Sequence, residues 1–237
     1  MEWMIPLFLI FAVAVIIYTV FFMDHEAYHK KQMARAEQPK YRTVWQPSSW
    51  SLSSAKKRAG DKGEAIFRDV IHSLKGEKLH NYMYTNNLVV NGKNFEIDFI
   101  VLVPCVGIVL AEVKYYSGTV YCTGGEEWQQ NKPNGDIKKH RNASKQVLRT
   151  KSLTSQVLKR HALNHWPIIP LVVFTHPDAT IKQHTKGTLS QTDVIRSDMF
   201  AKWLDKQPKD AAIRFTQQDN NAIKKALASH AQRYEAA

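Results

Sequence analysis

Cysteine is scarce in this chain, and its shortage narrows the kinds of site that the protein can contain. Only two of the 237 residues are cysteines, Cys105 and Cys122. Two thiols are too few for a disulfide scaffold, and we predict that both are free. No group of Cys and His residues has the spacing of a zinc site. Internal repeats and low-complexity segments are also absent, which excludes a repeat architecture.

Acidic residues are outnumbered by basic ones. The chain has 33 Lys and Arg against 21 Asp and Glu, a formal net charge of +12. Such an excess indicates an anionic partner, either nucleic acid or the headgroups of anionic lipids. Charge that serves only solubility or membrane topology is the alternative. We expect nucleic acid, with DNA as the main candidate; the sequence does not identify protein partners.

The start of the chain lacks Lys and Arg and consists of one long apolar run. Residues 3–23 read WMIPLFLIFAVAVIIYTVFFM, and about 20 apolar residues span a bilayer as a helix. A cleaved signal peptide is the alternative, but its basic start and small-residue cleavage site are missing. Basic residues follow the run, so the positive-inside rule predicts an outside N-terminus and a cytoplasmic domain. We expect a single-pass protein of a bacterial inner membrane.

A hairpin in the middle of the chain brings charged and apolar residues together. Residues 95–103 and 107–114 both read as strands, joined by a turn that carries Pro and Gly. A hairpin centred on Cys105 places Asp98 directly opposite Glu112, with Cβ atoms about 5 Å apart. Lys114 follows on the same face, about 6–7 Å further along.

The environment of these charges indicates a bound cation. Apolar residues occupy both faces of the two strands, which is typical of a buried central strand pair. Two opposed carboxylates destabilise such a sheet unless a positive charge lies between them. A divalent cation is the natural candidate, and ordinary solvated charges on a surface hairpin are the alternative.

An earlier helix carries a further acid. Gly60 is predicted to open a helix that ends near Leu74, with apolar residues spaced to face a core. Glu64 shares that inward side in the first turn. It could interact with the helix N-terminus, or it could point at the site and help to hold the cation.

Several motifs together resemble the NERD (nuclease-related) domain, which belongs to the PD-(D/E)XK group of nucleases. The resemblance covers about Ala59 to Phe174. The matching segments are Gly60-x-x-Gly63-Glu64, Glu96-Ile97-Asp98-Phe99-Ile100, Gly107-Ile108-x-x-x-Glu112-x-Lys114-x-x-x-Gly118 and Asn142-Ala143-Ser144-Lys145-Gln146. The last corresponds to the family's Asn-Pro-x-x-Gln motif without its proline, which is favourable but not required at a helix start.

The resemblance implies a site and a cofactor. It implies that Asp98, Glu112 and Glu64 hold Mg²⁺ or Mn²⁺ in a nuclease site that also contains Lys114 and Gln146. Lys114 would orient or deprotonate the attacking water, or neutralise the developing charge.

A second helix is predicted from Ala143 to Ala162, with Asn142 as its N-cap. Its buried stripe is expected to include Ala143 and Val147. Gln146 falls beside that stripe on the inward side, where it could orient a catalytic acid, contact substrate or bond to nearby backbone.

Basic residues precede this helix and occupy its outer face. Phosphate contacts supply most of nonspecific nucleic-acid affinity, so this ridge is a candidate binding surface. A merely solvated face is the alternative. The predicted nucleic-acid-binding residues are Lys138, Lys139, Arg141, Lys145 and Arg149.

The sequence therefore predicts an α/β fold with a restriction-endonuclease-like mixed central sheet flanked by helices, preceded by one transmembrane helix. We divide the chain into a membrane anchor (1–23), a juxtamembrane segment and linker (24–58), a nuclease-like domain (59–175) and a C-terminal strand and helix extension packed on that domain (176–237). In this extension Asp198 and Thr216 are expected to cap two helices.

The expected function is that of a membrane-anchored, metal-dependent nuclease. A catalytically silent, membrane-tethered module that binds nucleic acid or recruits a partner is the alternative. A structural or interaction role for the extension, with the core serving only as a scaffold, is another.

Overall fold

The computed structural model describes residues 49–183 and 189–231. The predicted transmembrane helix lies outside the described residues, as does most of the predicted linker. Within these two ranges, no helix is both long and apolar enough to cross a membrane.

The described chain forms α-helices and β-strands on both sides of the predicted hairpin. The helices are α1 (Ser49–Ser73), α2 (Ala143–Arg160), α3 (Phe200–Asp205) and α4 (Gln217–Ala228), with a 3₁₀ turn at Ser197–Met199 before α3. The strands are β1 (Asn81–Val90), β2 (Lys93–Val103), β3 (Gly107–Lys114), β4 (Gly118–Tyr121), β5 (Glu127–Asn131), β6 (Ile137–Arg141), β7 (Ile168–Phe174), β8 (Ala179–Lys182) and β9 (Asp193–Arg196).

The central sheet has five strands in the order β1-β2-β3-β7-β9. Its first three strands are antiparallel neighbours, and β7 and β9 are added in parallel. The predicted β2–β3 hairpin has the register centred on Cys105, because Val103 pairs with Gly107. The crossover through α2 then places β7 beside β3. The predicted mixed sheet flanked by helices is therefore confirmed.

A separate hydrophobic cluster covers each face of this sheet. On one face, Phe67 and Ile71 of α1 pack with Phe99 of β2 and with Phe200 of α3. On the other face, buried residues of α2 and α4 pack against Leu110 and its neighbours. The charged positions of β2 and β3 thus lie in strands that are covered on both sides.

A second sheet of four strands, in the order β6-β5-β4-β8, was not predicted. Trp128 of β5 is fully buried and joins it to the α2 side of the core. Its strand β6 carries the basic residues that precede α2, so these residues lie on an edge strand and not in a loop.

Two predicted helix starts are wrong. α1 begins at Ser49, so the segment that reads as the end of a serine-containing linker is helical and Gly60 lies inside the helix. Asp198 does not cap its helix, because its carboxylate pairs instead with Arg196. Thr216 does cap α4, in a reciprocal capping box with Asp219.

Two further local predictions are confirmed. Asn142 caps α2, accepting hydrogen bonds from the backbone N–H groups of Ser144 and Lys145. Cys105 and Cys122 are both free thiols.

Candidate active site

Asp98 and Glu112 lie side by side at the centre of the main sheet. β2 and β3 are antiparallel, with Phe99 opposite Ala111. The paired register ends there, and Asp98 and Glu112 are the next residues along each strand, with their charges close enough to interact. Asp98 Oδ2 accepts a hydrogen bond of 2.7 Å from the backbone N–H of Val113, which holds the carboxylate against β3.

The pKa values of both carboxyl groups are raised. Glu112 is only 4 % exposed. Burial raises its pKa to about 7, the charges of Asp98 and Glu64 act in the same direction, and Lys114 opposes them. Burial also raises the pKa of Asp98, against the lowering effects of the Val113 N–H and Lys114. Such a pair, with Glu112 buried and Asp98 half-buried, favours a nearby cation, since ionisation of both carboxyl groups is costly without one.

Lys114 supplies a positive charge at the end of β3. Its Nζ lies 2.6 Å from Glu112 Oε1 and 3.3 Å from Gln146 Oε1. Burial would lower the pKa of Lys114, but the charges of Glu112, Tyr116 and Asp98 outweigh it and the pKa is raised. Lys114 therefore links β3 to the first turn of α2.

Gln146 does not face the core, contrary to the prediction. The buried stripe of α2 runs through Ala143, Val147 and Thr150. Gln146 lies at the margin of that stripe and is exposed, so its side chain reaches sideways to Lys114. Its partner in the structure, the Lys114 ammonium, is none of the three that the sequence left open.

Glu64 approaches the same charges from α1. It is half-buried, and its pKa is raised first by burial and then by the charge of Asp98. Because α1 begins at Ser49, Glu64 lies roughly four turns into the helix. Glu64 therefore cannot interact with the helix N-terminus. The other predicted role, facing the site, agrees with its position near Asp98.

Gly63 allows α1 to come this close. A Cβ atom at position 63 would lie 2.9 Å from Thr175 Oγ1 and 3.0 Å from Tyr115 Cβ, which is tighter than ordinary packing. A larger residue would push α1 away from the ends of β3 and β7. Close packing thus requires a glycine at position 63, and this packing sets the distance of Glu64 from the sheet.

The donor atoms fit a hard divalent cation with few protein ligands. In the part of the chain that the structure describes, no group of three or more His, Cys, Asp or Glu side chains is arranged to hold a metal ion. Asp98 and Glu112 alone could serve, because Mg²⁺ is commonly held by one or two carboxylates, with water and substrate phosphate as its other ligands. Glu64 would then act at longer range.

The predicted basic residues are divided between two elements, and some are already paired. Lys138, Lys139 and Arg141 lie on β6, whereas Lys145 and Arg149 lie on α2. Lys139 pairs with Glu127 at 3.6 Å, and Lys145 pairs with Glu126. The other three form no ion pair within residues 49–183 and 189–231.

Two clefts meet at the site. The first, of about 590 Å³, contains Asp98, Gln146 and Arg149 and is called the carboxylate cleft below. The second, of about 630 Å³, contains Lys114, Tyr115 and Lys138 and is called the aromatic cleft. Arg141 lines both clefts, and Lys114 and Gln146 are in contact between them.

The aromatic lining of the second cleft was missed by sequence reasoning. Tyr115 and Tyr116 directly follow Lys114, and this position was the available signal. His140 and His176 come from β6 and from the end of β7, so their approach depends on the pairing of distant strands.

Comparison with known proteins identifies one family. The model of the NERD family, described as a nuclease-related domain, matches residues 59–175, just under half of the chain. The matched range contains Glu64, Asp98, Glu112, Lys114 and Gln146, and a nuclease-related function is implied for it. No curated protein and no solved structure matches the chain.

Proposed function

We propose that the region matching the nuclease-related family is a divalent-metal-dependent nuclease that hydrolyses phosphodiester bonds of DNA or RNA. A PD-(D/E)XK-type site on a restriction-endonuclease-like sheet accounts best for its geometry. The observation that carries the proposal is the half-buried Asp98 beside the buried Glu112, with the Lys114 ammonium 2.6 Å from Glu112. A purely structural sheet has no need of three ionisable groups at its centre.

Each side chain has a role in this mechanism. Asp98 and Glu112 would hold Mg²⁺ or Mn²⁺, which supplies charge neutralisation at the phosphate and an activated water. Asp98 is kept in place by the Val113 N–H. Glu64 orients water on the α1 side of the site.

Lys114 stabilises negative charge at the scissile phosphate. An ammonium group has three N–H donors. Glu112 and Gln146 accept two of them, which leaves one donor for a phosphate oxygen. Gln146 is a positioning residue, because it acts on substrate through Lys114.

Membrane attachment is a further part of the proposal. The apolar run at residues 3–23 and the basic residues after it support a single-pass anchor with the nuclease domain in the cytoplasm. Such an anchor would confine cleavage to nucleic acid near the bilayer.

The test is cleavage of labelled plasmid, linear DNA, single-stranded DNA and RNA by the full-length protein, with and without Mg²⁺ or Mn²⁺. We expect metal-dependent cleavage, and a loss of at least about 100-fold in Lys114→Ala and Glu112→Gln. The matched controls are Lys78→Ala and Asp205→Asn, because Lys78 and Asp205 form a pair of the same 2.6 Å length outside both clefts. Cleavage that survives in Lys114→Ala and Glu112→Gln would refute the assignment.

Two observations favour a second candidate, a membrane-tethered module that binds nucleic acid without cutting it. Glu112 and Lys114 satisfy one another, and the described residues hold no ready three-ligand metal group. This candidate predicts salt-sensitive binding, no cleavage with either metal, and the same affinity in Lys114→Ala as in the wild type.

A further inference from the structure

The aromatic cleft differs in chemistry from the carboxylate cleft beside it. Its charged lining residues are all cationic: Lys114, Lys132, Lys138, Lys139 and Arg141. The carboxylate cleft instead contains Glu96, Asp98, Glu126 and Glu127 together with its basic residues. Of these two clefts, the aromatic cleft is the one whose lining combines cations, without acids, and several rings. Lys114, Lys132 and Lys139 pair with acids outside the lining, whereas Lys138 and Arg141 form no ion pair among the described residues.

One wall of the aromatic cleft is a fixed ring pair. Tyr116 and His140 are stacked, with ring centroids 4.0 Å apart and planes 22° apart. Gln130 Oε1 lies 2.8 Å from His140 Nε2. Gln130 Nε2 donates to the Ser117 carbonyl at 2.7 Å. Gln130 is 4 % exposed, so a buried side chain holds the ring pair in place.

Tyr115 and His176 form a second ring pair in the same cleft. Their centroids are 4.6 Å apart, and the Asp178 N–H donates to His176 Nδ1 at 3.1 Å. Lys62 lies over the Tyr115 ring at 5.3 Å. Both rings are half-buried, which leaves aromatic surface accessible beside a cation.

We infer that the aromatic cleft binds unpaired nucleotides next to the scissile phosphate, so that the substrate is single-stranded nucleic acid or a single-stranded segment. This inference rests on the proposed function, because it takes the scissile phosphate to lie beside Lys114. Cations that follow the backbone, together with rings that stack on bases, are the general means of binding single strands.

Duplex nucleic acid does not suit this cleft. In a duplex the base faces are stacked on one another, so the rings would have nothing to contact. A volume of about 630 Å³ is that of a small-molecule pocket, which accommodates one or two nucleotides. Duplex could reach only the exposed cations, through its phosphates.

The experiment is fluorescence anisotropy on the full-length protein in EDTA, so that binding is measured without cleavage. The probes are a short labelled single-stranded DNA, the RNA of the same sequence, and a DNA hairpin duplex. The variants are Tyr115→Ala, which keeps the Cβ beside Gly63, and Tyr115→Phe, which keeps the ring. Tyr84→Ala is the matched control, because Tyr84 is exposed and also carries a cation over its ring, yet lines neither cleft.

We expect Tyr115→Ala to weaken single-strand binding about tenfold, the usual effect of losing one stacking ring. Tyr115→Phe and Tyr84→Ala should bind like the wild type, and the duplex should bind more weakly and without dependence on Tyr115. Tighter binding of duplex, or unchanged single-strand affinity in Tyr115→Ala, would overturn the inference.

The cleavage assay distinguishes failure of this inference from failure of the proposed function. Metal-dependent cutting of duplex that is insensitive to Tyr115 would leave the nuclease standing and overturn the single-strand assignment. Ring-dependent binding of single strands without any metal-dependent cleavage would support the binding assignment of the cleft and refute the nuclease.

Discussion

At the scale of single residues, Asn142 shows how one side chain can join several segments next to the site. Its Oδ1 accepts from two N–H groups at the start of α2, and its amide donates to the carbonyls of Thr123 and Gly125. The residue is 3 % exposed. A helix cap thus also ties α2 to the loop between β4 and β5, which keeps Gln146 within reach of Lys114.

Removal of this side chain should be more costly than loss of an ordinary cap. We predict that Asn142→Ala lowers the free energy of unfolding by about 2–4 kcal/mol, because a cap and two further hydrogen bonds, to the Thr123 and Gly125 carbonyls, are lost together. The measurement is chemical unfolding followed by circular dichroism.

Thr216→Ala is the comparison, because Thr216 caps α4 within an exposed capping box. It should lower the free energy of unfolding by about 1 kcal/mol. Equal effects of the two substitutions would show that the Asn142 amide adds nothing to the cap.

At the scale of helices and strands, the predictions that succeeded rest on strong local patterns. The β2–β3 hairpin has long apolar strands and a turn with Pro and Gly, and α2 has a cap and a clear buried stripe. The hairpin signals predict the register that the structure has, from Val103 opposite Gly107 to Phe99 opposite Ala111.

The elements that were missed lack such patterns. Strands β4, β5 and β6 read GTVY, EWQQN and IKKHR, which are short and mostly polar. Their pairing depends on Trp128 and on β8, which joins β4 in parallel from far along the chain. The start of α1 was missed because the serines near it are typical of linkers.

Packing of α1 on the sheet sets the position of Glu64 and can be tested at Gly63. We predict that Gly63→Ala costs about 1–3 kcal/mol and reduces metal-dependent cleavage, because the new methyl group forces α1 away from Thr175 and Tyr115. Thermal unfolding and the plasmid assay measure the two effects.

Gly60→Ala is the matched control in the same helix. A Cβ at position 60 meets no atom within 4 Å, so alanine should raise the free energy of unfolding by up to about 1 kcal/mol through helix propensity. Equal losses of stability at positions 60 and 63 would contradict the packing argument.

At the scale of the whole molecule, the prediction concerns residues 1–48. The full-length chain should sediment with membranes and resist alkaline carbonate extraction, whereas a chain that begins at Ser49 should be released. The reason is the apolar run at residues 3–23, which is long enough to span the bilayer and is more stable there than in water. Recovery of the full-length chain in the supernatant would contradict the anchor.

The central sheet extends beyond the segment that matches the family. The family match ends at residue 175, yet β9 at Asp193–Arg196 pairs with β7 and completes the central sheet. The segment after the match is therefore not merely an appendage on a finished domain.

Strand β7 reads IIPLVVF and carries no charge. If the chain were cut at residue 175, this strand would become an open edge with unpaired backbone groups, a template on which other copies could add strands. Strand β9 pairs with this edge and so protects the chain against aggregation.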